Sequence, residues 1–368
     1  MKLLFVLEHF HPYLGGAEHL FCELTKTLAG EGHTVTVVTT LHDKHLPGDE
    51  IVEGVQIIRI NCLNRFGFTF LSLPKILRIA SKYDMIQTST YNAAIPAWIA
   101  GKLLNKPVIL TFHEYWGELW MKLPFISFWQ RKVFQLFERW IMCLRFSHYV
   151  AVSKFTQTRL EQSGIPGDRI SMIYNGLNYA AFLYHKHQAP TEFKYTYFGR
   201  LGISKGLDIL LPAAQLFYEK HPDSKLQLIV PRTPTSIYKK ILKLIDALKL
   251  KDHIKIFHSL PKQQLYKVIS ESSCVVIPSY SEGFCFAAAE AIALGVPLVS
   301  SQKGALKEVV SGTYLPVEPL DVNSLFDALT KAANGEWQEL PIRYFHFETT
   351  IEQYIKLYAA VLDKKRSS

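Results

Sequence analysis

The sequence predicts an α/β protein of two doubly wound halves, and three observations carry that expectation. Apolar, β-branched runs alternate with helical-period segments from the first residues onward. The alternation stops at a His-, Ala- and Pro-rich stretch near Tyr184–Thr191 and then starts again. The length of 368 residues gives each half room for its own core. The expected division is 1–184, 185–344 and a terminal helical segment 345–368.

Composition bounds the rest. Apolar residues make up 48% and charged residues 20%, which suits a packed globular chain and excludes disorder. A net charge of +9 favours an anionic partner without choosing among nucleotide diphosphates, lipid surfaces and nucleic acid. Five cysteines, Cys22, Cys62, Cys143, Cys274 and Cys285, form no C-x-x-C pair. Reduced, buried thiols of a cytosolic protein are expected, and no metal site. The opening MKLLFVLEHF ends its apolar run at Glu8 without a small-residue cleavage site, so it reads as a strand and not as a signal peptide. No apolar stretch reaches the roughly 18 residues of a spanning helix.

Lys2–Leu7, the helical Gly15–Gly30 and the strand His33–Thr39 form a β-α-β start, which implies a parallel sheet. At the first strand-to-helix junction stand Gly15 and Gly16, where backbone N–H groups can approach an anion unobstructed. An ordinary turn is the competing reading. The absence of G-x-G-x-x-G counts against a dinucleotide-dependent dehydrogenase. Strands are expected again at Val55–Ile60, Asp84–Thr88 and Pro107–Thr111, with a helix over Ala93–Leu104. His113 follows the last of these strands, at the carboxyl end where open α/β sheets bind ligands.

Ile126–Arg145 sets Ile126, Trp129, Val133, Leu136, Phe137, Trp140 and Leu144 on one helical stripe. Arg131, Lys132, Arg139 and Arg145 lie off it, opposed only by Glu138. Such a helix either packs its stripe on its own sheet or lies on an anionic membrane. Packing is preferred, because amphipathic helices are common in soluble proteins. Tyr149–Val152 then runs into Ser153, a helix N-cap, and Ile170–Tyr174 leads to the turn Asn175-Gly176.

The second half opens with the strand Phe193–Phe198 and the loop Gly199–Gly206. Arg200 and Lys205 in that loop could both reach one diphosphate, the first as a fork and the second as a point charge. Strands follow at Leu226–Val230 and Ile254–Phe257, the second ending at His258. Val275–Ser301 reads as strand, loop, helix, strand, with Glu282 in the loop and Glu290 amid alanines on the helix. A carboxylate so placed needs a partner, and ligand hydroxyls can serve. The helix N-terminus after Gly283 adds an anion site. Hydroxyls plus an anion suggest a nucleotide sugar; a core helix with a salt-bridged Glu is the alternative.

Glu282 and Glu290 have the E-x7-E spacing, with Ser281-Glu282-Gly283-Phe284 before it and Gly295-Val296-Pro297 after it. This resembles the retaining glycosyltransferases of family 4, which have the GT-B fold of two Rossmann-like domains facing across a cleft. The resemblance extends to GGAE at Gly15–Glu18, to the G-R-L-x3-K-G loop at Gly199–Gly206 and to Phe345–Leu362 as a helix crossing back to the first domain. It implies that a nucleotide-diphosphate sugar donates its sugar to a hydroxyl of a glycan or lipid-linked acceptor, in cell-surface polysaccharide or glycolipid synthesis. Arg200 and Lys205 would then neutralise the diphosphate, Glu282 would bind sugar hydroxyls and His113 would position the sugar. No protein base is implied. Glu290 would hold the ribose, and Gly15, Gly16, Gly199, Phe257, His258, Gly283, Phe284, Cys285, Phe286 and Ala287 would line the donor. No metal, cofactor or nucleic acid is implied. The chain is expected in the cytoplasm, with a peripheral membrane contact through 126–145 as the alternative use of that helix. Pro231-Arg232-Thr233-Pro234 departs from the family's G-x-G turn, and His258 replaces a common glycine, which leaves the base open. An epimerase or hydrolase on the same fold, or a non-catalytic nucleotide-sugar-binding protein, are the other readings.

Overall fold

The computed structural model describes every residue except Leu14, Leu63, Asn64, Ser259, Ser367 and Ser368. Its strands are β1 Lys2–Val6, β2 Thr34–Thr40, β3 Asp49–Val52, β4 Val55–Ile60, β5 Met85–Ser89, β6 Val108–Phe112, β7 His148–Ala151, β8 Ile170–Met172, β9 Lys194–Phe198, β10 Lys225–Ile229, β11 Ile254–Phe257, β12 Cys274–Ile277, β13 Leu298–Ser300, β14 Gly312–Pro316 and β15 Gln338–Leu340. The α-helices are α1 Gly16–Gly30, α2 Arg65–Leu71, α3 Leu73–Ala80, α4 Ala94–Leu103, α5 Phe128–Cys143, α6 Lys154–Gln162, α7 Leu207–Lys220, α8 Thr235–Ala247, α9 Lys262–Ser270, α10 Phe286–Ala293, α11 Leu306–Val309, α12 Val322–Ala333 and α13 Phe347–Arg366.

The chain divides into two compact units, the first of 1–117, 133–176 and 347–368, the second of 118–132 and 177–346. In the first, the sheet order is β3-β4-β2-β1-β5-β6-β7-β8. All neighbours are parallel except the β3–β4 hairpin. β1 and β6 are near-continuous apolar runs, as a sheet covered on both faces requires, and β5 between them is wholly buried although it carries Gln87, Thr88 and Ser89. One face packs Leu3 and Phe5 against α1 and against Ile351, Tyr354 and Tyr358 of α13. The other packs Leu4 and Val6 with Phe68, Ile76, Ala97 and Ile141.

The second sheet runs β11-β10-β9-β12-β13-β14-β15, parallel except for β15. Its core joins Tyr195 and Val276 to Leu210 and Phe217 of α7 and Leu325 and Leu329 of α12. In each sheet the strand order reverses beside the unit's first strand, between β1 and β5 and between β9 and β12. Such switch points open a crevice at the strands' carboxyl ends.

The compact units divide at 176/177, where Leu177 bridges His346 and donates to the Phe345 carbonyl, a few residues before the expected linker. Segment 118–132 also counts with the second unit, where Phe125 packs on its core and Lys240 Nζ donates to the Phe125 carbonyl at 2.5 Å. Each sheet carries one antiparallel edge strand that alternation alone did not announce.

The expected packing of the α5 stripe holds for Leu144, which is in the first unit's core, and for Phe137, which packs against it, but not for the rest. Trp129, Val133, Leu136 and Trp140 are 75%, 59%, 62% and 52% exposed, whereas Glu138 and Ile141 are each 1% exposed. Glu138 is what turns the helix over. Its Oε1 accepts from the Tyr91 hydroxyl at 2.6 Å and the Trp116 N–H at 3.1 Å, and its Oε2 from the Gly117 N–H at 2.6 Å. A buried carboxylate holding three donors outweighs the apolar stripe in deciding which side faces inward.

Candidate active site

In the second unit, the loops after β9 and β12 lie side by side because those strands are neighbours in the sheet. The β9 loop ends at Gly206, which caps α7 with φ of 69°, in the left-handed region. A Cβ there would stand 1.9 Å from the Pro278 carbonyl oxygen, so only glycine lets the two loops approach this closely. The Tyr280 N–H then donates to the Ser204 carbonyl at 2.7 Å, stitching one loop to the other.

This approach brings Lys205 onto Glu282. Lys205 Nζ lies 2.8 Å from both carboxylate oxygens, and Ser279 Oγ donates to Oε1 at 2.6 Å. Ser279 is itself held through its carbonyl, which accepts from Ser301 Oγ at 2.6 Å. The Glu282 carbonyl accepts from the Ala305 N–H at 2.9 Å, and a Cβ on Gly304 would sit 2.4 Å from that same oxygen. The Glu282 carboxylate is therefore held by Lys205 and Ser279 and its backbone by the Gly304-Ala305 turn, while the lysine keeps partial access to solvent. Arg200 is exposed on the same loop, and its carbonyl accepts from the Tyr197 hydroxyl at 3.4 Å.

Past Glu282, Gly283, Phe284 and Cys285 are buried, and the chain enters α10 at Phe286 and Ala287, both partly exposed. Phe284 sits edge-on to Phe286 and Phe345, with ring centroids 5.3 and 5.1 Å away. Cys285 caps the helix with φ of 81°, and burial drives its thiol pKa upward, which makes it a packing group and not a nucleophile. Glu290 is deep enough that burial pushes its carboxyl pKa up to about 7, partly opposed by the charge of Lys262. Tyr266 is close enough to feel that carboxylate. Sequence reasoning missed Ser279, Lys262 and Tyr266; the Ser three residues before Glu282 was the available signal for the first.

His258 follows β11. Its Nδ1 lies 2.8 Å from the Val230 carbonyl and its Nε2 3.1 Å from the Tyr238 hydroxyl, so both ring nitrogens are engaged inside the unit. Its side chain is a brace between β10 and α8. Phe257 beside it is partly buried, with Lys255 Nζ 4.9 Å from its ring centre. Ser259 lies outside the described residues.

The first unit supplies the other expected residues at the carboxyl ends of β1 and β6. Gly15 precedes α1, Gly16 opens it, and Leu14 beside them lies outside the described residues. His113 follows β6, its ring edge-on to Phe21 at 5.6 Å. Of the cysteines, Cys22, Cys274 and Cys285 are buried as expected; Cys143 is exposed because α5 turns it outward. Among the described residues no helix is long and apolar enough to cross a membrane.

Models of Glycosyltransferase Family 4 and of Glycosyl transferases group 1 match residues 14–180 and 184–344. The chain belongs to the family 4 glycosyltransferases. It is 25% identical over 308 residues to the GDP-mannose:cellobiosyl-diphosphopolyprenol alpha-mannosyltransferase of Xanthomonas campestris, covering 82% of this chain and 78% of that one. It is 22% identical over 315 residues to the O-antigen chain mannosyltransferase RfbU of Salmonella typhimurium, covering 81% and 84%. The sucrose-phosphate synthase of Thermosynechococcus elongatus superposes with a TM-score of 0.82 at 21% identity over 99% of both chains. Anabaena HepE, solved with UDP and glucose, does so with a TM-score of 0.71 at 18% identity, over 98% of this chain and 99% of that one. The fold of this glycosyltransferase is GT-B.

Proposed function

We propose that this glycosyltransferase retains anomeric configuration, takes its sugar from a nucleotide-diphosphate donor held mainly by the second unit, and delivers it to a hydroxyl of a glycan or lipid-linked acceptor. The observation that carries the reading is the Lys205–Glu282–Ser279 constellation with Glu290 one short helix away. It sets a cation for phosphate and two carboxylates for hydroxyls along one sheet edge. The relatives' names support a sugar-nucleotide donor and a lipid-linked or glycan acceptor, in polysaccharide or glycolipid synthesis.

In this reading the bond from the anomeric carbon to the diphosphate oxygen breaks and the bond to the acceptor oxygen forms on the same face. The acceptor's proton leaves with the diphosphate. Arg200 and Lys205 neutralise the charge that develops on the leaving oxygen, which makes a metal unnecessary. Glu282 orients sugar hydroxyls and Glu290 accepts from the ribose; in the first unit, the Gly15-Gly16 turn and His113 stand after β1 and β6. The protein acts in the cytoplasm.

A screen of nucleotide sugars for slow hydrolysis tests the donor, since it needs no acceptor. One donor should turn over well above the rest. If no nucleotide sugar is turned over or bound, the reading is sunk; an epimerised sugar nucleotide made from donor alone would favour an epimerase. NMR of the transferred linkage tests retention, and an inverted anomeric centre would refute it.

A further inference from the structure

We propose that Tyr280 and Asp208 form a clamp that positions Lys205 for sugar transfer without touching substrate themselves. Asp208 is the second residue of α7, and Tyr280 follows β12 two residues before Glu282. The Tyr280 hydroxyl donates to Asp208 Oδ2 at 2.7 Å, and the Tyr280 N–H donates to the Ser204 carbonyl, also at 2.7 Å. One residue of the β12 loop therefore grips the β9 loop on both sides of Lys205, at Ser204 before it and at Asp208 after it. Its chain neighbour Ser279 donates to Glu282 Oε1 at 2.6 Å, so one short segment fixes the carboxylate and the lysine that meets it.

The geometry separates this role from helix capping. An acid in the first turn ordinarily serves its helix by accepting from the free N–H groups or by facing the dipole. The cap of α7 is Gly206, which has no side chain to accept, and Asp208 Oδ1 is buried with no hydrogen bond from any other described residue. The bond that Asp208 does accept crosses to the other loop. Burial pushes its carboxyl pKa up, and the Tyr280 hydroxyl is the largest influence opposing that rise. The tyrosine ring packs against the second unit's core, so packing aims its hydroxyl. A misplacement of about 1 Å at a group that meets developing charge can cost on the order of 10²-fold in rate. This role rests on the reading of Lys205 as a ligand of the diphosphate, and a measurement on the loop itself keeps the two apart.

Tyr280→Phe, Asp208→Asn, Asp208→Ala and the double variant Tyr280→Phe with Asp208→Ala are compared for donor hydrolysis at saturating nucleotide sugar and for hydrogen exchange of 199–206. Tyr280→Phe removes only the hydroxyl and should lower kcat roughly 10- to 100-fold. Calorimetric affinity for UDP and GDP should change less than about threefold, because the flexible lysine still reaches a bound phosphate. Asp208→Asn keeps an oxygen that accepts from the tyrosine and should hold a near-native kcat, while Asp208→Ala should match Tyr280→Phe. Both changes remove the same bond, so the double variant should be no slower than either alone. The amides of 199–206 should exchange faster in Tyr280→Phe and in Asp208→Ala than in the native protein, with circular dichroism unchanged. A native kcat in Tyr280→Phe, losses that multiply in the double variant, or a loss in Asp208→Asn as deep as in Asp208→Ala would overturn the clamp. So would unaltered exchange of 199–206 in Tyr280→Phe. A native protein silent toward every nucleotide sugar would instead count against the donor reading alone, since exchange still reports whether Tyr280 holds the loop.

Discussion

Lys205 and Glu282 neutralise each other before any substrate arrives, and that pairing sets what their replacement will do. Lys205→Ala removes the cation from a carboxylate that is 7% exposed. It should therefore cost about 3 kcal/mol in urea unfolding as well as on the order of 10²-fold in turnover. Adding Glu282→Gln should return much of the stability and none of the turnover. If the double substitution is no more stable than the single one, the pair is not what holds these loops. Arg200→Ala, exposed on the same loop, should lower turnover on a similar scale with stability unchanged. Near-native rates in both Arg200→Ala and Lys205→Ala would remove the diphosphate assignment. Glu290 supplies a pH test. Its folded carboxyl keeps a proton up to about pH 7 against an ordinary value of 4.5. Its contribution to stability is thus full below 4.5 and is lost as pH rises through about 7. Ribose recognition runs the other way, because only the ionised form accepts from both hydroxyls. Calorimetric affinity for the free nucleoside diphosphate should rise through neutral pH, and Glu290→Gln should flatten that rise and weaken binding by roughly 1–3 kcal/mol. A mutant with the native pH profile would end the ribose role.

At the scale of elements, the junction of β9 with α7 depends on one backbone conformation. Gly206→Ala needs both a left-handed alanine and the displacement of a carbonyl, so it should destabilise by about 3 kcal/mol or more in denaturant titration. A change under about 0.5 kcal/mol would mean that the two loops part freely. The same region explains what was legible beforehand. Val275–Ile277, Pro278 and the alanines after Phe286 announce strand, stop and helix through local chemistry, and Glu282 and Glu290 could be picked out by spacing. That Lys205 and Glu282 touch could not, because it arises from the neighbouring of β9 and β12 across most of a domain. The bracing of His258 was illegible for a related reason: its partners, the Val230 carbonyl and the Tyr238 hydroxyl, come from segments distant in sequence. The α5 stripe shows a different limit. Periodicity finds a helical face but not its direction, and the direction here was decided by the hydrogen bonds of a single glutamate.

For the whole molecule, catalysis that relies on Arg200 and Lys205 should survive an excess of chelator. A strict Mg²⁺ or Mn²⁺ requirement, restored on adding the ion back, would contradict it. The course of the chain between the units carries a further consequence. Tyr354 and Tyr358 of α13 are fully buried in the first unit's core, the latter donating to Gln87 Oε1 at 3.1 Å. Domains of a growing chain commonly fold in the order in which they emerge. Here every residue of the second unit leaves the ribosome before α13 does, so the unit begun first is completed last. A chain stopped after His346 should hold a protease-resistant second unit, while 1–117 and 133–176 are digested. Supplying α13 as a separate peptide should then restore their protection, and if the truncated first unit resists protease unaided, the nascent chain has no such interval of exposure.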